Sequence, residues 1–292
     1  APPAPERHPF PLWGWAGVTA GATAWVLAWT RFDWFSALQP YTFSPLWFSY
    51  IVTVNALTQW RTGRCSLTSR PGFMALLFLA SGAFWWFFEY LNRFVQNWAY
   101  QNVNGFSPLD YFIFATLPFS TVLPAVLGTF ELLQAFPRLS VGTESFIPVR
   151  WTHPRIPAVA GLLIAGGSQA GIGVWPDYLF PFLWVSPLMV IVCIQTLRGH
   201  PTIFSPVLFG FWRDIFLWAL AALVCGFFWE MWNYKSLARW VYIVPFVQHA
   251  HIFEMPILGY SGYLTFGIEC AVITGILTRW CDDRQPPAIL GR

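Results

Sequence analysis

The chain has 292 residues, of which 56% are hydrophobic, 20% aromatic and only 10% charged. Soluble domains average about 25% charged residues. This much apolar surface cannot be hidden in one water-facing globule, so the composition excludes an ordinary soluble domain and predicts a polytopic membrane protein whose first partner is the lipid bilayer. The net charge of +3 is too small and too scattered for nucleic acid to be a partner, and 19 Trp with 10 Tyr suit a protein that anchors itself at two membrane–water interfaces.

The opening stretch APPAPERHPFPLWGW has neither the basic region nor the small-residue cleavage site of a signal peptide, and it predicts a cytoplasmic N-terminus. Eight apolar runs follow, each near the length of a membrane-crossing helix: Leu12–Trp29, Pro45–Trp60, Phe73–Leu91, Phe112–Leu133, Ile156–Trp175, Leu179–Leu197, Ile215–Trp232 and Phe253–Leu277. They lack the alternation of barrel strands, so the expected fold is an all-α integral membrane protein of about eight transmembrane helices. Basic residues set the orientation. Arg7, Arg61, Arg64, Arg70, Arg138, Arg150, Arg155, Arg198, Arg213, Arg279, Arg284 and Arg292 fall on one side, and Arg31, Arg93, Lys235 and Arg239 on the other. The positive-inside rule then puts both termini in the cytoplasm, as for an inner or cytoplasmic membrane, and the aromatic loops at 93–111 and 234–252 outside.

The two halves resemble each other. Glu89-x-x-Asn92 parallels Glu230-x-x-Asn233, and Trp98-x-Tyr100 parallels Trp240-x-Tyr242. Pro118 and Glu131 are spaced like Pro256 and Glu269, and Leu46-Trp47 with Arg61 match Leu183-Trp184 with Arg198. The first helix of each half carries a small-residue signature, Gly17-x-x-x-Gly21 and Gly167-x-x-x-Gly171. The reading is two similar four-helix membrane repeats, 1–140 and 141–292. Four spans per half give them one orientation, related by an axis along the membrane normal.

Carboxylates in apolar runs are candidate site residues, because leaving them unpaired in lipid is expensive. Glu230 and Asn233 share one helix face. Glu230 is expected to point into the bundle, with Tyr242, His251 and Arg239 as its first candidate partners. In the first half, Glu89 has Arg93 at i+4 as a ready ion-pair partner, so the second half is expected to hold any active site. Glu254 and His251, in QHAHIFEMP with His249, form a second polar cluster. Its spacing matches no metal signature, and a hydrogen-bonding rim is the simpler reading. Glu131 and Glu269 are expected to hydrogen-bond between helices, and Arg213-Asp214 to form an interfacial pair.

Absent patterns narrow the chemistry. None of the five His, at 8, 153, 200, 249 and 251, lies mid-span, which argues against a transmembrane b-type haem or His-bound chlorophyll. There is no G-x-x-x-x-G-K-[ST], G-x-S-x-G or H-E-x-x-H motif. Cys65, Cys193, Cys225, Cys270 and Cys281 form no C-x-x-C pair and predict neither disulfide nor structural zinc. No cofactor is specified.

Aromatic residues followed by a Pro/Glu segment, over Trp240 to Glu269, resemble the integral-membrane lycopene cyclase domains. Those domains carry a Pro-x-Glu-Glu run, whereas here Glu254 precedes Pro256, and their catalytic residues are not carried over. The sequence reading is an enzyme acting on a lipophilic, isoprenoid-like small molecule. Glu230 is its acid/base, Asn233 orients by hydrogen bonding, and Glu254 and His251 add a polar cluster. Aromatic walls would hold the apolar body or a developing cation. The alternatives are a non-catalytic subunit bound to other membrane subunits, and a secondary transporter with its site at the repeat interface.

Overall fold

A computed structural model describes residues 8–103 and 105–282. The chain is mostly helical. Its helices are α1 (Leu12–Trp29), α2 (Phe43–Thr62), α3 (Ser66–Ser69), α4 (Pro71–Val95), α5 (Pro108–Phe119), α6 (Val122–Gln134), α7 (Arg155–Gly171), α8 (Pro176–Leu179), α9 (Pro181–Leu197), α10 (Arg213–Lys235) and α11 (Tyr260–Asp282). Local chemistry sets the boundaries. Proline opens α4, α5 and α9, where its missing N–H costs nothing. Ser107 caps α5 by accepting from the Asp110 N–H at 3.2 Å. Gly63, at φ +78°, ends α2 in the left-handed conformation that a side chain would resist.

A helix covers most of each of the eight apolar runs. Four helical stretches are long and apolar enough to cross a membrane: Pro71–Val95, Pro108–Gln134, Arg213–Lys235 and Ile257–Asp282. The other four fall short for physical reasons. At 1.5 Å per residue, the 17 residues of α7 and of α9 reach about 25 Å, less than the roughly 30 Å of hydrocarbon. Polar and small residues dilute α1 and α2, among them Thr19, Thr23, Asn55 and Gln59. The last run also begins differently from expectation. Residues 253–256 belong to a hairpin rather than a helix, because Pro256 cannot donate to a helical ladder and Phe253 turns the chain at φ +58°.

One core draws on both 1–140 and 141–292. At its centre is α6, whose residues Val122 to Phe130 are all buried, and which packs against α2, α4, α10 and α11. A helix apolar all round belongs in an interior. At the periphery, Leu12, Leu79, Leu163 and Ile156 stand exposed, a surface that lipid would cover. The small-residue signature of the first half works as expected: Cβ atoms at Gly17 and Gly21 would lie 2.5 Å from Val52 and 3.2 Å from Ser49 on α2. The second-half signature does not. Nothing approaches Gly167, and Gly171 meets only the local turn at Trp175 and Leu179, while it is Gly161 that lies against Cys193 of α9.

Two short ribbons interrupt the all-helical pattern. Strand β1 (Trp98–Gln101) follows α4, and β2 (Arg239–Tyr242) follows α10. They pair antiparallel, with Trp98 opposite Tyr242 and Tyr100 opposite Trp240. Strands β3 (His251–Ile252) and β4 (Met255–Pro256) form the hairpin before α11. The C-terminal ends of α4 and α10 therefore meet under one ribbon. At the opposite end, Arg70 before α4 pairs with Asp282 of α11 at 3.1 Å.

Candidate functional site

The site is built from two similar motifs that meet under the β1–β2 ribbon. In each, an Asn near the end of a long helix holds the following strand by its backbone. Asn233 Nδ2 donates to the Trp240 carbonyl at 2.8 Å, and its Oδ1 accepts from the Trp240 N–H at 2.8 Å. Asn92 Nδ2 donates to the Trp98 carbonyl at 2.8 Å, and its Oδ1 accepts from the Asn97 N–H at 2.8 Å and the Trp98 N–H at 3.4 Å. One turn earlier, each motif carries its carboxyl group.

Glu230 is fully buried, pointing inward as its sequence context requires. Its Oε1 accepts from the Tyr242 hydroxyl at 2.8 Å and the Tyr263 hydroxyl at 2.6 Å. Trp240 Nε1 donates to the Tyr242 oxygen at 2.9 Å, which orients that phenol. Glu230 Oε2 is buried and has no hydrogen-bond partner among the described residues. Gly226 makes the arrangement possible, since a Cβ there would collide with the Tyr263 ring. Without one, Tyr263 lies flat enough on α10 to reach Glu230, one turn further along.

Glu89 is held differently. Its Oε1 accepts from Trp85 Nε1 at 3.1 Å, Trp98 Nε1 at 3.0 Å and the Tyr100 hydroxyl at 2.5 Å. The expected ion pair with Arg93 is absent among the described residues. Arg93 is exposed, whereas Glu89 faces the ribbon and takes indole and phenol donors instead.

The donors to both carboxyl groups line one cavity of about 560 Å3. Trp85, Trp98 and Tyr100 contribute from the first half, and Tyr242 and Tyr263 from the second, with Trp240 beside them. Trp184 of α9 adds a further wall, stacked on Phe88 at 5.2 Å. Burial pushes the Tyr242 hydroxyl well above the ordinary phenol range, and the neighbouring Glu230 charge adds to the shift. Burial does the same to Tyr100, with Glu89 adding to it. Both phenols therefore keep their protons and act as donors toward the carboxyl groups.

The remaining sequence candidates lie at the rim or elsewhere. Glu254 pairs with Arg239 at 3.1 Å, and Arg239, which lines the cavity, also donates to Gln101 Oε1 at 3.2 Å. Arg239 is thus a partner of Glu254 rather than of Glu230. His251 is exposed and contacts Gln248 at 3.2 Å, so it joins neither Glu254 nor Glu230 by a hydrogen bond. Among the described residues, no group of three His, Cys, Asp or Glu is placed to hold a metal. Arg213 pairs with Glu144 at 3.6 Å instead of with Asp214. Glu131 is held by Ser66, through both its N–H and its hydroxyl. Glu269 is fully buried, and neither of its oxygens finds a hydrogen-bond partner among the described residues, contrary to the interhelical bond expected.

Tyr263 and Trp85 are the site residues that sequence reasoning does not reach. The Trp-x-Tyr repeat marks Trp98, Tyr100, Trp240 and Tyr242, and the Leu-Trp match marks Trp184 without assigning it to the site. Tyr263 lies 33 residues from Glu230 with no motif joining them. The chain matches no protein-family model, no curated protein and no solved structure, so the functional reading rests on the site's own geometry.

Proposed function

We propose that the chain is a polytopic membrane enzyme that moves a proton on a lipophilic, isoprenoid-like substrate bound in the aromatic cavity. The observation that carries this reading is a buried carboxyl joined to two phenols, Tyr242 and Tyr263, that themselves line an apolar cavity. A substrate proton would pass to a Tyr oxygen as that phenol's own proton passes to Glu230 Oε1; the reverse transfer protonates a double bond. Indole and phenol faces would stabilise cationic character developing on the substrate. Asn233 serves through Trp240, fixing the strand that carries Tyr242 rather than touching the substrate. Glu254 acts through Arg239 at the cavity rim, and His251 belongs to the outer surface beyond it.

The same reading takes the chain to cross the membrane eight times as two parallel repeats. Reciprocal contacts support the repeat. Trp47 of α2 packs on Trp229 of α10 at 4.9 Å, and the matching Trp184 of α9 packs on Phe88 of α4. The strand register maps Trp98 and Tyr100 onto Trp240 and Tyr242 by a two-fold rotation. Most of the basic residues lie at the helix ends away from the ribbon, which supports a cytoplasmic face there and an outward-facing site. The termini themselves, with Arg7, Arg284 and Arg292, lie outside the described residues.

The test is lipid profiling. Membranes of a host expressing the chain are extracted, and their isoprenoids are compared by mass spectrometry with those from a host expressing Glu230→Gln. A product or depleted precursor seen only with the unmodified chain is expected. Identical profiles, together with partners that co-purify in fixed ratio, would overturn the enzyme reading in favour of a complex subunit.

A further inference from the structure

A second cavity, of about 690 Å3, opens between α4, α7, α9 and α11, and it shares no lining residue with the aromatic cavity. Its walls are chiefly apolar and include Phe84, Phe87, Phe94, Val190 and Ile273. Four polar side chains also line it: the exposed Tyr90, and Glu269, Ser186 and Gln169. Glu269 and Ser186 are 0% exposed. Both carboxyl oxygens of Glu269, the Ser186 hydroxyl and the Gln169 carbonyl oxygen lack a hydrogen-bond partner among the described residues. The Gln169 amide is nevertheless anchored, donating to the Phe182 carbonyl at 3.1 Å and so fixing where its free oxygen sits.

Buried polar groups are nearly always satisfied, and each one that is not costs about 1–3 kcal/mol. Four such oxygens, carried by three residues of one cavity's lining, therefore mark a place for a polar group. All are acceptors, and only the serine hydroxyl carries a donor of its own whatever its surroundings. A metal ion would need more oxygen ligands than these, since the lining adds only the phenol of the exposed Tyr90 to them. An ammonium head would have to form a buried ion pair with Glu269, with both charges desolvated. A neutral hydroxyl carries no such penalty. It can donate to one of these oxygens while accepting from Ser186, and its apolar tail would lie along the phenylalanines.

We infer that this cavity is a binding site for a lipophilic alcohol, separate from the aromatic cavity, with Glu269, Ser186 and Gln169 receiving the hydroxyl head. Neither the site nor its ligand depends on the proton-transfer reading.

The experiment is photolabelling of the full-length protein, purified in detergent, with a long-chain alcohol bearing a diazirine in its tail. The expected adducts fall on peptides from α4, α7 and α9. An unlabelled long-chain alcohol should compete, and the matching alkane or methyl ether should compete about tenfold more weakly, the effect of losing one donated hydrogen bond. Ser186→Ala and Glu269→Gln should each weaken labelling. Glu269→Leu should abolish the preference for alcohol over alkane, and if that variant does not purify, Ser186→Ala alone carries the comparison. Equal competition by the alkane, stronger competition by a long-chain amine, or adducts confined to the aromatic cavity would overturn the inference. Loss of isoprenoid turnover with alcohol labelling intact would count only against the proton-transfer reading.

Discussion

Glu89 and Glu230 occupy matching positions on matching helices, yet they differ in what they can do with a proton. Glu89 takes two of its three hydrogen bonds from indole nitrogens, which donate but do not ionise in water's pH range. Glu230 takes both of its bonds from phenols, and the Trp240 indole donates to the Tyr242 oxygen. A phenol oxygen can release a proton on one side while accepting one on the other. On the proposed reading the first-half cluster, with Tyr100 as its one phenol, is an anchor and the second, with phenols alone, is a relay, although both face the same cavity. On that reading, two carboxyl groups at like positions part in chemistry through their donors, alongside a difference in burial, Glu230 being fully buried and Glu89 only partly.

The sharpest way to break this comparison is to neutralise each carboxyl in turn. On the proposed function, Glu230→Gln should lower turnover of the lipophilic substrate about 100-fold or more, the usual scale for losing a general acid or base. Glu89→Gln should cost less than about tenfold, because the amide can still accept from Trp85, Trp98 and Tyr100. Steady-state rates on reconstituted protein would decide it, and equal losses would dissolve the distinction between anchor and relay.

A smaller effect sharpens the likeness of the two motifs. Asn233→Ala and Asn92→Ala should each destabilise the protein by about 1–3 kcal/mol, since each leaves strand backbone unpaired, part-buried at Trp240 and buried at Trp98. Thermal unfolding in detergent would read this as two similar downward shifts. A shift for only one of them would mean that the strands are not held alike.

The smallest effect is alkaline. Tyr242 and Tyr100 have folded-state values above those of free phenols. Their contribution is therefore complete below the ordinary phenol value of about 10 and declines as pH rises above it, where only the unfolded chain ionises. Tyr242→Phe and Tyr100→Phe should each flatten the alkaline fall in unfolding temperature. An unchanged slope in both would show that the phenols ionise freely in the folded protein.

Much of this site could be read from the chain itself. Apolar run length marked the positions of the eight principal helical segments, and the spacing of Glu89, Asn92, Trp98 and Tyr100 against Glu230, Asn233, Trp240 and Tyr242 marked both motifs. Pairings made across space could not be read. Arg93 is in helical reach of Glu89, yet three aromatic donors under the ribbon win the carboxyl and leave the guanidinium exposed. Glu254 is close to His251 in sequence, but the hairpin turns between them, with Phe253 at φ +58°, and delivers Glu254 to Arg239. Crossing number was less legible than helix position, because length and apolarity diverge in α1, α2, α7 and α9.

The β1–β2 ribbon also has a bearing on biosynthesis. Gln101 and Arg239 touch across the ribbon although they are 138 residues apart in the chain. At ribosomal speed, the second strand emerges on the order of ten seconds after the first. Until then Trp98–Gln101 is a strand without a neighbour, and the tryptophans and Tyr100 that reach Glu89 have no Trp240–Tyr242 edge to settle against. Insertion of α10 is thus the event that fastens the early part of the chain. A nascent chain stalled before Arg213 should remain open to proteases at residues 98–101 and become resistant there only after release of the full-length product.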